Sequence, residues 1–302
     1  MALKDIKSEI ASKLRTNKVT RAMEAVSAVK MRKTQQTALG GRGYAHAALS
    51  ILSRLSGSNE LARNPLTAKR DVKTMALVII TSDKGLAGAL NSSVIKAASA
   101  AVDGMPKEAV KVYAYGRKGE EHFARRGYPI VRSYQNKRDD IPLEDMEALS
   151  KELSAAFVAR EVDSVVAVYS HFKSTFEQLP TARTLLPLSI ESVRQMVADI
   201  RPTKGKWSDE KEASAPAAYV VEPSPEVILD ALVPRLVAVS LYHMLLEAKA
   251  SEHSARMVAM KNASDKSKEV AKDLTRTYNK VRQAAITREV SEIVGGREAL
   301  AS

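Results

Sequence analysis

The sequence predicts an α/β fold in which a doubly wound domain is inserted between two long terminal helices that return to each other. Three observations predict it. No glycine or proline interrupts Met1 to Leu39. No glycine occurs between Gly205 and Gly295, and Pro234 is the last proline. Between these ends, short strand-like runs alternate with helix-like stretches, the pattern of a mostly parallel sheet.

The first helix is predicted over residues 1–55. Leu3, Ile6, Ile10 and Leu14 follow the spacing of one helix face, and the pattern resumes at Ala22, Met23, Val26 and Val29 after a polar stretch around Asn17 and Lys18. To reach Leu55 the helix must pass the GGRG at 40–43, where each glycine costs about 1 kcal/mol relative to alanine. The inserted domain is predicted over 70–200. Its strands are Ala76–Thr81, Val110–Tyr115, Pro129–Arg132 and Ser164–Tyr169, with helices at Ala89–Val102, Arg117–Arg126 and Pro142–Arg160. ARTLLPLSI, from Ala182, adds an edge strand, because Pro187 does not suit a central one.

Residues 201–224, charged and proline-rich, read as a connector to a helix over 225–296. Pro225 suits its start and the GG at 295–296 its end. Val270, Leu274, Tyr278, Val281 and Ala285 repeat as a coiled-coil seam. From Glu226 to Val294 such a helix is roughly 100 Å long. With one apolar stripe it needs a partner, and the first helix is the candidate. Spacing alone leaves the pair parallel or antiparallel.

The net charge of +12 is concentrated at one end, with 11 Lys and Arg against 3 Asp and Glu in residues 1–55. Such a segment suits nucleic acid, an anionic membrane or an acidic protein surface. No aromatic residue stands between Met1 and Gly43 to stack on bases, so an acidic protein surface is expected. The absence of cysteine excludes disulfides and thiolate metal sites. MALKDIKSEI lacks the apolar core of a secretory signal, and VILDALVPRLVAVSLYHMLL carries Asp230, Pro234 and Arg235, which argues against a membrane span. The chain is accordingly read as soluble.

No catalytic constellation stands out. TSDKGLAGALN, 81–91, has the outline of a phosphate loop, but Gly85 and Gly88 are followed by Ala89 and Leu90 where a Walker loop needs lysine and a hydroxyl. It is expected to be a tight strand-to-helix turn with Ser82 or Asp83 near a helix N-terminus. The five histidines show no metal-ligand spacing and read as surface or packing residues. Adjacent carboxylates such as Glu120 and Glu121 point apart and make poor acid/base pairs.

Four stretches carry a family resemblance. SARMVAMKNASDKSKEVAKDLTRTYNKVRQAAITREVSEIVGG (254–296) strongly resembles the gamma subunit of F-type ATP synthases, and KLRTNKVTRAMEAVSAVKMRK, TSDKGLAGALN and AAYVVEPSPEVILDALVPRL agree with it in order and position. The resemblance implies a long antiparallel coiled coil of the terminal helices with an inserted Rossmann-like domain. It implies the central-stalk rotor of a proton-translocating synthase, with no active site or cofactor of its own. The implied partners are the alpha and beta hexamer, the epsilon subunit and the c-ring of the membrane sector, and the implied location is the cytoplasmic face of the bacterial inner membrane. Residue by residue, Lys18, Met23, Lys30, Lys33, Arg256, Gln283 and Thr287 fall at beta-subunit contacts, and Tyr219 and Glu222 at contacts with the ring. Ala87 replaces a cysteine common in the family's turn, and GGRG at 40–43 departs from its unbroken first helix.

Overall fold

The computed structural model describes residues 3–40, 63–136, 143–189, 191–192 and 224–301. These form two compact units, one of Met1–Ser27 with Arg256–Ser302 and one of Ala28–Ala255. The predicted extension of the first helix to Leu55, most of the 201–224 connector, Tyr219 and Glu222 lie outside the described residues.

The second unit is built on a five-stranded sheet. Its strands are β1 (Met75–Ile80), β2 (Val110–Tyr115), β3 (Ile130–Tyr134), β4 (Ser164–Phe172) and β5 (Gln178–Leu186), in the order β3-β2-β1-β4-β5. The first four are mutually parallel, and β5 pairs antiparallel with β4 at the edge. The edge strand therefore starts earlier than Ala182, with Pro180 inside it at a place a central strand would not tolerate. β1 is buried along its whole length because helices cover both faces. On one face α2 (Leu90–Ala101) and α3 (Arg117–Arg125) bury Val94, Ala98 and Phe123 against Leu77, Ile79 and Val112. On the other, α4 (Leu143–Val158) and the first part of α5 (Pro225–Ala301) bury Leu149, Leu153, Phe157, Val233, Leu236 and Leu241 against Val78, Ile80 and Tyr169.

Alternating strand and helix patterns produce this architecture because the central strands β1, β2 and β4 are buried from both sides, while the edge strands β3 and β5 stay largely exposed and each helix buries one stripe. Ser224 caps α5, its Oγ accepting the Val227 N–H at 3.4 Å, with Pro225 as the first helical residue. α5 does not stop at the GG of 295–296 but continues to Ala301. Two glycines cost a helix about 1 kcal/mol each, which lowers its stability without forcing an end. One 18-residue window of α5 reaches a mean hydropathy of 1.5, and half of it is buried within the protein, as in a core helix.

The carboxyl end of β1 shows why the glycine turn exists. Leu86 and Gly88 take positive φ, 65° and 57°, between β1 and α2. The Ser82 N–H donates to Asn91 Oδ1 at 3.0 Å, and the Ser82 hydroxyl donates to the Lys84 carbonyl at 2.6 Å. The side chains of Ser82 and Asn91 are thus satisfied within the turn itself. Asp83 stands at a helix N-terminus, as expected. Its Oδ1 accepts the Arg117 N–H at 2.9 Å at the first residue of α3, while Ala89, before α2, supplies no side-chain cap.

Candidate functional site

In the first unit, the N-terminal part of α1 (Leu3–Gly40) and the C-terminal part of α5 form an antiparallel coiled coil. The predicted seam on α5 is present: Val270, Leu274, Tyr278, Val281 and Ala285 are all half-buried. The seam on α1 differs from the expected one. Its buried or half-buried positions run Leu3, Ile6, Ile10, Lys13, Asn17, Thr20, Glu24 and Ser27, steps of three and four without a break. Leu14 is 47% exposed, and of the resumed pattern only Met23 is half-buried, while Ala22, Val26 and Val29 are exposed.

The difference has a physical cause. Val19, Ala22, Val26 and Val29 also step by three, four and three, so they form a second stripe. It lies two positions on from the seam, or about 200° around the helix. That outer stripe is more apolar than the seam it was mistaken for. In the seam itself Asn17 donates from Nδ2 to the Ser264 carbonyl at 2.7 Å and to its hydroxyl at 2.9 Å. Thr20 returns its hydroxyl to the Thr16 carbonyl at 2.9 Å. A polar pair in a seam sets register at some cost in stability. With Asn17 opposite Ser264 in an antiparallel pair, the last turns of α5 project beyond Leu3. There Ile286, Val290, Ile293 and Val294 are 46, 53, 71 and 51% exposed.

The residues singled out from the sequence are distributed over this surface. Lys18 and Lys33 are exposed, Met23 and Lys30 half-buried, and all four stand on α1. Arg256 is half-buried, and Gln283 and Thr287 are exposed on α5. The Thr287 hydroxyl donates to the Gln283 carbonyl at 3.0 Å, which places these two on one helix face. Arg256 is not brought to them, since the 27 residues to Gln283 correspond to about 40 Å of helix.

The second unit holds a buried polar group that the sequence reading missed. Glu247 on α5 accepts from His171 Nδ1 at 2.8 Å and from His243 Nε2 at 2.9 Å, linking β4 to α5. Burial pushes the Glu247 carboxyl upward, but the hydrogen bonds and charge of both histidines outweigh it and bring it down to about 2. Burial and the nearby Glu247 carboxylate push the Tyr169 hydroxyl well above its ordinary range. Among the described residues no cluster of His, Cys, Asp and Glu is arranged to hold a metal ion.

A family model described as ATP synthase matches residues 2–300. The ATP synthase gamma chain of Chlorobium phaeobacteroides is 38% identical over 304 residues, covering 99% of this chain and 98% of that one. That of Roseiflexus castenholzii is 39% identical over 302 residues, with the same coverage. The chain belongs to the ATP synthase gamma family. Among solved structures, the central stalk and c-ring of the Tetrahymena thermophila mitochondrial ATP synthase contains a chain with a TM-score of 0.60 and 26% identity, covering 82% of this chain and 99% of that one. A chain of the Euglena gracilis mitochondrial enzyme shares the fold, with a TM-score of 0.66 at 17% identity, covering 99% and 94%. As a gamma chain the protein is a central-stalk subunit of an F-type ATP synthase, and so part of an ATPase complex associated with a membrane.

Proposed function

We propose that this gamma chain is the non-catalytic rotating shaft of a proton-translocating synthase, enclosed by a hexamer of alpha and beta subunits. The epsilon subunit and the c-ring of the membrane sector complete its partners. The assembly sits on the cytoplasmic face of a bacterial inner membrane, held there only through the complex. One observation carries the reading. The coiled coil presents Val19 and Val26, 58 and 55% exposed, on the side of α1 away from its own seam. An isolated coiled coil has polar outer positions, whereas a shaft inside a protein sleeve has an outer face fit for apolar contact.

Lys18, Met23, Lys30 and Lys33 are assigned to contacts with the beta subunits along α1, beside the outer stripe. Arg256, Gln283 and Thr287 are assigned to contact with a beta-subunit loop along α5, and Tyr219 and Glu222 to the ring. The mechanism needs no bond-making group in the shaft. Its surface has no threefold repeat, since one side of α1 is valine-rich and the flanking positions are lysines. Three surrounding catalytic sites therefore meet three different surfaces at any angle, and turning the shaft exchanges their conformations. Because the binding equilibria are coupled, nucleotide binding biases the angle as much as the angle biases binding.

The test is co-purification under mild salt, with the tag on this chain. Recovery of alpha, beta and epsilon subunits with nucleotide-dependent hydrolysis is expected, and recovery of the chain alone overturns the reading.

A further inference from the structure

Doubly wound sheets bind ligands in the crevice at the carboxyl ends of their strands, where the strand order reverses. Here the reversal lies between β1 and β4, and the space beyond it is occupied by α5. The Ser251 hydroxyl donates to the Ser170 carbonyl at 3.0 Å, and Glu247 takes the bonds from His171 and His243. Lys249 Nζ donates to the Asn136 carbonyl at 3.0 Å, just past β3. The Ser254 hydroxyl donates to the Thr175 carbonyl at 2.6 Å, in the turn between β4 and β5. Ser251 and Ser254 are wholly buried, and Lys249 is 2% exposed.

The position of these groups along α5 is informative. Val233, Val237, Ser240, Met244, Glu247, Ser251 and Ser254 continue one stripe in steps of four and three. Its first part is mainly apolar and packs in the core, and it turns polar at Glu247, where α5 meets the strand ends. Polar groups are a poor choice there for stability alone. Burying charge is costly, and well-packed apolar side chains of similar volume are often at least as stabilising. What directional bonds add is register: an apolar face tolerates small rotations of a helix about its axis, whereas hydrogen bonds to fixed carbonyls do not.

We infer that Glu247, Lys249, Ser251 and Ser254 make α5 the built-in ligand of the sheet's crevice, a keyed grip that fixes the rotational angle between the sheet domain and the helix. These are positioning residues, and the inference rests on the rotor reading above. The grip makes the sheet domain and this stretch of α5 one torsionally stiff body. Gly116 is part of the socket. Its missing side chain leaves room for the Thr81 carbonyl, which accepts Asn136 Nδ2 at 2.7 Å and so holds the residue whose own carbonyl receives Lys249.

The experiment uses the assembled complex with its hexamer fixed to a surface. The chain has no cysteine, so Asp103→Cys, in an exposed turn, offers this subunit's one thiol for a bead. Angular fluctuation is recorded without nucleotide, and turning with ATP. In the Glu247→Gln, Ser251→Ala variant the angular variance should widen about twofold, since neutralising a charge-assisted bond halves its strength and the hydroxyl bond is lost outright. Met244→Leu, an apolar change on the same stripe, should leave the variance at the parental value even where it lowers the melting temperature. If the double variant does not assemble, Ser251→Ala alone, which removes one bond and no charge, carries the same comparison. A bead that turns with ATP while its variance is the same in parent and key variant overturns the grip and leaves the rotor reading standing. A parental bead that never turns overturns the rotor reading, and the inference with it.

Discussion

Replacing Gly116 by alanine should damage the second unit far more than the same change at another positive-φ glycine. Gly116 stands between β2 and α3 with φ 101°, and an added Cβ would lie 2.0 Å from the Thr81 carbonyl oxygen. The backbone conformation alone costs an L residue about 1–3 kcal/mol. The overlap cannot be relieved by a side-chain rotation, because the obstructing atom is backbone. Moving Thr81 would disturb its N–H bond to the Tyr115 carbonyl at 2.8 Å and the Asn136 bond to its own carbonyl. Forced overpacking of this kind adds about 1–3 kcal/mol, for a combined loss of about 2–6 kcal/mol. Gly104, at φ 78°, has nothing within 4 Å of an added Cβ, so Gly104→Ala should show only the conformational cost. Urea denaturation of the full chain, followed by circular dichroism, measures both. Losses for the two variants within about 1 kcal/mol of each other would refute the close-approach argument.

Three further outcomes follow from the same geometry. Glu247 ionises near 2 in the folded chain against an ordinary 4.5, so its contribution is complete above the ordinary value and is lost as pH falls through the folded one. Up to about 3 kcal/mol of acid-labile stability should therefore be present in the parent chain and missing from Glu247→Gln, as read from denaturation midpoints between neutral pH and about pH 2. Asn17→Ala removes both bonds to Ser264 and should cost about 1–2 kcal/mol in thermal unfolding, with Ser264→Ala adding little on top of it. Met23→Lys places a second positive charge near Lys18 against the expected acidic beta surface, and should change the ratio of protons pumped to ATP hydrolysed more than it changes the melting temperature. An unchanged ratio in the assembled variant would remove Met23 from the contact set.

Much of the fold was legible because period and punctuation agree. Val110–Tyr115 and Arg117–Arg125 stand within a residue of their sequence readings, as strongly patterned elements bounded by Gly116 and Gly127 should. The α1 seam was not legible, because hydrophobicity was read as burial. Val26 and Val29 are exposed while Thr20 and Ser27 are buried, an inversion of the usual apolar-in, polar-out pattern. The unbroken three-and-four spacing of Leu3, Ile6, Ile10, Lys13, Asn17 and Thr20 is the available signal once polar residues are allowed into it. His171 and His243 are packing residues, one of the two expected roles, but spacing along the chain gives no sign of their shared partner. Their common partner Glu247 lies 76 residues from His171, a pairing that only the sheet topology brings about. The end of α5 was misplaced because GG marks a weak point in a helix and not by itself a stop.

Rotation of this chain against its neighbours is tested most directly by locking it to one of them. Because it has no cysteine of its own, Val26→Cys gives it a single thiol on the outer stripe, to be paired with a thiol placed on the facing beta subunit. Oxidation should join the two chains and stop ATP hydrolysis by the complex, and reduction should restore it. Hydrolysis continuing at the full rate in the fully cross-linked complex would contradict the account.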